Sequence, residues 1–158
     1  MTDLALALDP VSLSADLCLA NGDLVLDDGL ASLALMSLLT DARAQPRDVE
    51  AGETDLRGWW GDALSTSPLG GRLWTLARAK ATEENRRRAA DFAAEALAWM
   101  TRDGIATAID VTATRSDGDG SGATLHLEIV IHRPGGTVEH LAYDLLWQAM
   151  GSAAGGTA

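Results

Sequence analysis

Apolar and polar positions alternate in the first thirty residues. Asp16-Leu17-Cys18-Leu19-Ala20 and Asp23-Leu24-Val25-Leu26-Asp27 flank Asn21-Gly22. An Asn-Gly pair between alternating runs predicts a hairpin, because both residues of its tight turn take positive φ. Leu17 and Leu19 would then share a face with Leu24 and Leu26. The alternation from Leu4 to Leu8 predicts a third short strand or an arm, over residues 1–15. No internal repeat is expected.

The period changes after Gly29. Leu30, Leu33, Leu35, Met36, Leu38 and Leu39 cover most of a helical wheel, so a helix is expected over 29–43, buried on most sides. Asp27 or Asp28 can cap its start, and Pro46 predicts its end. Residues 44–67 carry no period, and an irregular connection of that length is usually functional or disordered. The spacing predicts a short helix over 71–79 and a longer one over 82–103. Thr82 is its N-cap, Glu83/Arg87 and Glu84/Arg88 are i,i+4 pairs, and Gly104 is its stop. Ala89, Phe92, Ala93, Ala96, Leu97 and Met100 form its apolar stripe.

The last third alternates again. Ile105, Ile109, Val111 and Ala113 share one face, and Leu125, Leu127, Ile129 and Ile131 share the next. Arg133-Pro134-Gly135-Gly136 is a turn. Thr137 to Tyr143 has a weaker pattern that suits an edge strand, and 144–150 reads as a last helical turn or strand. The expected fold is a single α+β domain over 16–150: hairpin, buried helix, long loop, two helices, and an antiparallel sheet of about three strands with the helices on one face. Residues 151–158 read as a flexible tail.

Composition narrows the function. The formal net charge is −11, and the twelve basic residues include a single lysine, Lys80. Such a chain lacks the basic face that phosphate neutralisation requires, and anionic lipid would repel it. No nucleic-acid or membrane partner is expected. No apolar run approaches the roughly 20 residues that cross a bilayer. The one cysteine, Cys18, rules out an internal disulfide and a cysteine-rich zinc site. Synthesis in a cytoplasm is expected, since Met1-Thr2-Asp3 has no basic leader.

The candidate chemistry thins out on inspection. Asp117 to Glu128 matches the spacing of a calcium loop, with oxygens at positions 1, 3 and 5, glycine at 6 and glutamate at 12. That motif needs its glutamate at the start of a helix, whereas Glu128 falls within an alternating strand. A calcium-binding regulatory module using Asp117, Asp119, Ser121 and Glu128 is the alternative to a structural role. His126, His132 and His140 all lie opposite the Leu/Ile face, at no ligand spacing. Ser65 and Ser67 lack a nucleophile context, and Cys18 lies between leucines with no histidine nearby. Arg86-Arg87-Arg88 reads as a solvated helix face paired to Glu83 and Glu84. No cofactor, small-molecule substrate or enzyme class is indicated.

The long connection holds Arg57-Gly58-Trp59-Trp60-Gly61-Asp62, with two of the chain's five tryptophans. Two readings stand side by side. The rings plug a gap over the core, or they form a docking surface, where Trp and Arg are enriched.

Four stretches together resemble the small baseplate protein family of Mu-like phages and prophages. They are "GDLVLDDGLASLALMSLLTDARA", "DLRGWWGDAL", "PLGGRLWTLARAKATEENRRRAADFAAEALAWMTRDGIA" and "YDLLW". The resemblance covers roughly residues 16–147. That family is similar to the small wedge proteins of contractile phage tails and type VI secretion baseplates. The resemblance implies a non-enzymatic wedge subunit, in six-fold arrangement, near the point where the sheath begins. Its partners would be other wedge proteins and sheath or tube subunits, and strand addition to the edge at 137–143 is the implied mode of contact. Interface candidates are Arg57, Trp59, Trp60, Asp62, Arg72, Trp74, Tyr143 and Trp147. The relatives carry a Glu/Pro/Arg-type motif after the first helix. Arg43-Ala44-Gln45-Pro46-Arg47 has no glutamate, which weighs against carrying that contact over.

Overall fold

A computed structural model describes residues 2–9, 12, 14–49, 52–64, 68–76, 79–117 and 123–146. Trp147, the tail over 151–158, Ser65, Ser67 and the centre of the Asp117–Glu128 loop lie outside the described residues.

The main body is the expected α+β layer. Helix α2, Glu83–Arg102, packs on an antiparallel sheet of β7 (Ala108–Asp117), β8 (Ala123–His132) and β9 (Val138–Leu146), in the order β7-β8-β9. The predicted stripe of α2, from Ala89 to Met100, is buried throughout, and so are Leu125, Leu127, Ile129 and Ile131 of β8. Opposite them the sheet is polar. His126 hydrogen-bonds Asp144, and His132 hydrogen-bonds Asp110 at 3.0 Å. A sheet with one solvated face needs this alternation.

The ends of α2 follow from its sequence. Thr82 Oγ1 accepts the Asn85 N–H at 3.2 Å. At the other end Ile105 N–H donates to Met100 O and Gly104 N–H to Thr101 O, a Schellman motif that requires the positive φ of Gly104, 76°. One expected ion pair differs. Glu83 binds both Arg86 and Arg87, while Arg88 turns away from Glu84 toward Asp48, 4.0 Å away, and over the Phe92 ring. The aromatic face and the carboxylate together compete with the exposed pair.

Helix α1 is shorter than expected, Leu30–Leu39, and stops well before Pro46. Thr40 is already extended, and the chain leaves the helix to pair with a later segment: Gly71 N–H donates to Thr40 O, and Ala42 N–H to Gly71 O. The N-cap is Gly29, with no side-chain cap, in place of the predicted Asp27 or Asp28; their carboxylates instead accept the N–H groups of Gly29 and Leu30 just ahead of the first turn. The buried Ser37 hydroxyl donates to Leu33 O and accepts the Trp99 indole N–H, which ties α1 to α2. The short helix expected over 71–79 is a single 3-10 turn, Leu73–Leu76, with Leu73 and Leu76 buried.

The first thirty residues hold more than one hairpin. Six short strands form three two-stranded ribbons: β1 (Asp3–Leu4) with β6 (Leu26–Asp27), β2 (Leu6–Asp9) with β3 (Ser14–Leu17), and β4 (Leu19–Ala20) with β5 (Asp23–Leu24). They meet in a ring. Ala5 N–H donates to Val25 O, Val25 N–H to Cys18 O, and Cys18 N–H to Ala5 O, each at 2.9 Å. The expectation of no internal repeat is therefore corrected. Asp3-Leu4-Ala5-Leu6, Asp16-Leu17-Cys18-Leu19 and Asp23-Leu24-Val25-Leu26 are three copies of Asp-Leu-x-Leu related by a pseudo-threefold axis. In each copy the aspartate Oδ1 accepts the N–H of the next leucine, at 2.7 to 2.8 Å. In each arm the first leucine of one copy faces the second leucine of another: Leu4↔Leu26, Leu17↔Leu6 and Leu24↔Leu19. The Ser32 hydroxyl fastens the ring to α1 by donating to Leu4 O and accepting the Leu6 N–H.

Candidate functional site: the tryptophan loop

The connection between α1 and α2 is pinned at its base by the Asp41–Gly71 bridge. Above it, Ala44 N–H donates to Leu56 O at 2.9 Å, so the loop folds back on itself. The Trp74 indole N–H donates to Ala42 O at 2.9 Å, and the Arg57 guanidinium lies 4.5 Å from the Trp74 ring centre while pairing with Asp41. Arg57 adopts a positive φ, 47°, which is rare for a side chain of its size. The ion pair and the stack hold it there. That twist, followed by Gly58, turns the chain outward into the two tryptophans.

Trp59 and Trp60 behave differently. The Trp59 ring lies on the Gly61 backbone: a Cβ at Gly61 would stand 2.3 Å from its ring atoms. Gly61 is required by this contact. Trp59 is 37% exposed, whereas Trp60 is 75% exposed, and their ring centres are 5.5 Å apart. Trp60 opens a 3-10 turn, Trp60–Leu64, whose last residue is 85% exposed. The Asp62 Oδ1 accepts the Leu69 N–H at 3.0 Å.

Arg72 and Tyr143 make contacts within the chain. Arg72 binds Asp48 and Glu95 and lies 4.5 Å over the Phe92 ring. Burial pushes the Asp48 carboxyl up, but the hydrogen bonds from Arg72 and the Gln45 N–H, with the charges of Arg72 and Arg47, outweigh it and leave it below its ordinary value. Burial would lower the Arg72 guanidinium, and its two carboxylate partners more than offset that and raise it. Tyr143 on β9 reaches Ala31 O of α1 at 3.4 Å, and burial, followed by the charges of Asp27 and Glu139, pushes its phenol up to about 12. Asp41, Asp48, Glu95 and Leu64 escape sequence reading. The turn at Gln45–Asp48, closed by Asp48 N–H to Gln45 O and by Gln45 N–H to the Asp48 carboxylate, is the local signal for Asp48.

The arrangement presents exposed apolar area at Trp60 and Leu64. Among the described residues no three His, Cys, Asp or Glu side chains cluster as a metal site would need, and no helix is long and apolar enough to cross a membrane. Glu128 lies within β8 opposite Thr112, away from any helix start.

The model of the phage protein GP46 family matches residues 30–138, from α1 through the start of β9. The baseplate protein gp46 of Escherichia phage Mu is 40% identical over 117 residues, covering 73% of this chain and 78% of that protein. The Mu-like prophage FluMu protein gp46 of Haemophilus influenzae is 36% identical over 148 residues, covering 93% of this chain and 98% of that protein. The chain therefore belongs to the phage protein GP46 family, the Mu-like baseplate proteins that its sequence resembles.

Proposed function

We propose that this chain is a structural, non-enzymatic wedge subunit of a contractile phage or prophage tail baseplate, set where the sheath begins and repeated with six-fold symmetry. The observation that carries the reading is its similarity to the Mu baseplate protein, together with a family match over residues 30–138 that includes the tryptophan loop and both helices. Two features support it. The edge strand β9 ends the sheet, and its first residue, Val138, is exposed, so it can accept a strand from a sheath subunit. Trp60 and Leu64 present apolar area on a loop fixed by ion pairs, which suits an anchor between neighbours. Trp59, Arg57, Arg72, Trp74, Asp62 and Tyr143 serve by holding that loop and edge in shape, and Trp147 remains a candidate contact.

The test is a phage complemented with Trp60→Ala. The isolated variant should melt like wild type, because the ring is mostly in water, while its amount in sedimented tails should fall at least tenfold. Normal incorporation of the variant would remove the anchor role. Absence of the wild-type chain from tails that contain sheath and tube would remove the baseplate reading itself.

A further inference from the structure

Asn21 and Asn85 are the chain's two asparagines, and the fold treats them in opposite ways. An asparagine side chain can close on the peptide nitrogen of the next residue. Closure is easiest when that residue is glycine, because no Cβ obstructs the approach. Asn21 is followed by Gly22, and Asn85 by Arg86.

The hairpin turn leaves this chemistry open at Asn21. Both turn residues are exposed, and a Cβ placed on Gly22 would meet nothing within 4 Å. Among the described residues neither the Asn21 carboxamide nor the Gly22 N–H has a hydrogen-bond partner. Both φ angles are positive, 53° and 82°, as a tight turn of this kind requires. Closing the ring bends the backbone out of that turn, so the reaction proceeds when the arm opens. Little resists opening: β4 and β5 pair only as Leu19↔Leu24 and Ala20↔Asp23, and Leu19 is 72% exposed. The next rung inward is the Val25 N–H to Cys18 O bond of the ring, so the outer arm opens while the ring stays closed.

Asn85 is guarded on both sides of the same reaction. It lies in the first turn of α2, and its side-chain amide donates to Lys80 O at 2.8 Å. The nitrogen it would have to reach, that of Arg86, already donates its N–H to Thr82 O at 2.9 Å. Helical hydrogen bonds must break before the two can meet.

We propose that Asn21-Gly22 is a site of spontaneous deamidation, with water as the co-reactant. The Gly22 nitrogen gives up its proton and bonds to Asn21 Cγ, and the side-chain nitrogen leaves with that proton as ammonia. The product is a five-membered cyclic imide. Water then adds to one of the two imide carbonyls and breaks its bond to the Gly22 nitrogen. Opening at the main-chain carbonyl gives isoaspartate, whose main chain runs through Cβ and Cγ and is longer by one methylene. Opening at Cγ gives aspartate on an unaltered main chain. No atom is oxidised or reduced. Either product sets a new carboxylate two residues from Asp23. The longer main chain of isoaspartate does not fit a two-residue turn, so it opens the outer arm and exposes the Val25 N–H behind it.

The test is incubation of the full chain at mildly alkaline pH, folded and in urea, followed by peptide mass spectrometry. In the folded chain the peptide holding Asn21 should gain about one dalton, as an amide becomes an acid. Its rate should exceed that at Asn85 by about tenfold or more, because the outer arm opens more readily than α2. A gain at Asn21 in urea alone overturns the proposal, because the turn then protects the amide. Equal rates at the two asparagines of the folded chain overturn it as well. The gain should vanish in Asn21→Gln, and its persistence there places the reaction elsewhere. Incubated wild type should exchange the Val25 N–H faster than fresh chain. Asn21→Asp, which carries the charge without the longer main chain, should exchange it at the fresh rate. Fresh-rate exchange in chain rich in isoaspartate overturns the opening of the arm.

Discussion

Arg72 illustrates how one residue type serves two purposes in this chain. Arg and Trp in a long loop suggest an interface, and Trp60 fits that suggestion while Arg72 does not. Its guanidinium is nearly out of water between Asp48, Glu95 and Phe92, and so it locks the loop to α2. Removing one partner of a buried pair strands the other charge, which costs about 3 kcal/mol. Arg72→Ala should therefore lower the melting temperature by about 10 °C, read by circular dichroism. A change under about 3 °C would mean that Arg88, already 4.0 Å from Asp48, takes over the carboxylate. Sequence alone separates the two roles poorly, because Arg72 and Arg57 find their carboxylates 24 and 16 residues away.

Among the elements, α2 was the most legible. Its cap, stripe and stop are all local in the chain: Thr82 binds three residues on, and Gly104 closes the last turn. Gly104→Ala should cost about 1 kcal/mol, through the left-handed conformation at that position. An unchanged urea midpoint would show that the turn relaxes freely. Strand β8 was legible for the same reason, since ten alternating residues carry their own register. The end of α1 was not legible, because Gly71, far along the chain, decides it by pairing with Thr40 and Ala42. The N-terminal ring was half legible. Asn21-Gly22 marked one arm, but strands of two to four residues are too short to show a period, and the threefold relation lies in hydrogen bonds between distant copies. In the candidate site, the sequence drew attention to Trp59 and Trp60 and could not tell them apart. The difference rests on Gly61, whose bare backbone accepts one ring and leaves the other outside.

At the scale of the whole molecule, acid is the natural probe. Arg133, with the Leu30 N–H, holds the Asp28 carboxyl below its ordinary 3.8, and Asp48 is held below the same value despite burial. A carboxyl depressed in the folded state stabilises above its unfolded pKa and loses that contribution as pH falls through the lower folded value. The melting temperature should therefore hold down to about pH 4 and decline below it, and the decline should be shallower in Arg72→Ala. An equal slope in the variant would remove Asp48 from the account. A different consequence follows from the way the chain threads the ring. Two arms are closed by the chain itself, at 9–14 and at Asn21-Gly22, whereas β1 and β6 are joined only by pairing, with Asp3 facing Asp27 at the outer end. That arm is instead secured from below: the Ser32 hydroxyl of α1 donates to Leu4 O and accepts the Leu6 N–H, so the arm the chain leaves open is the one tied directly to the helix.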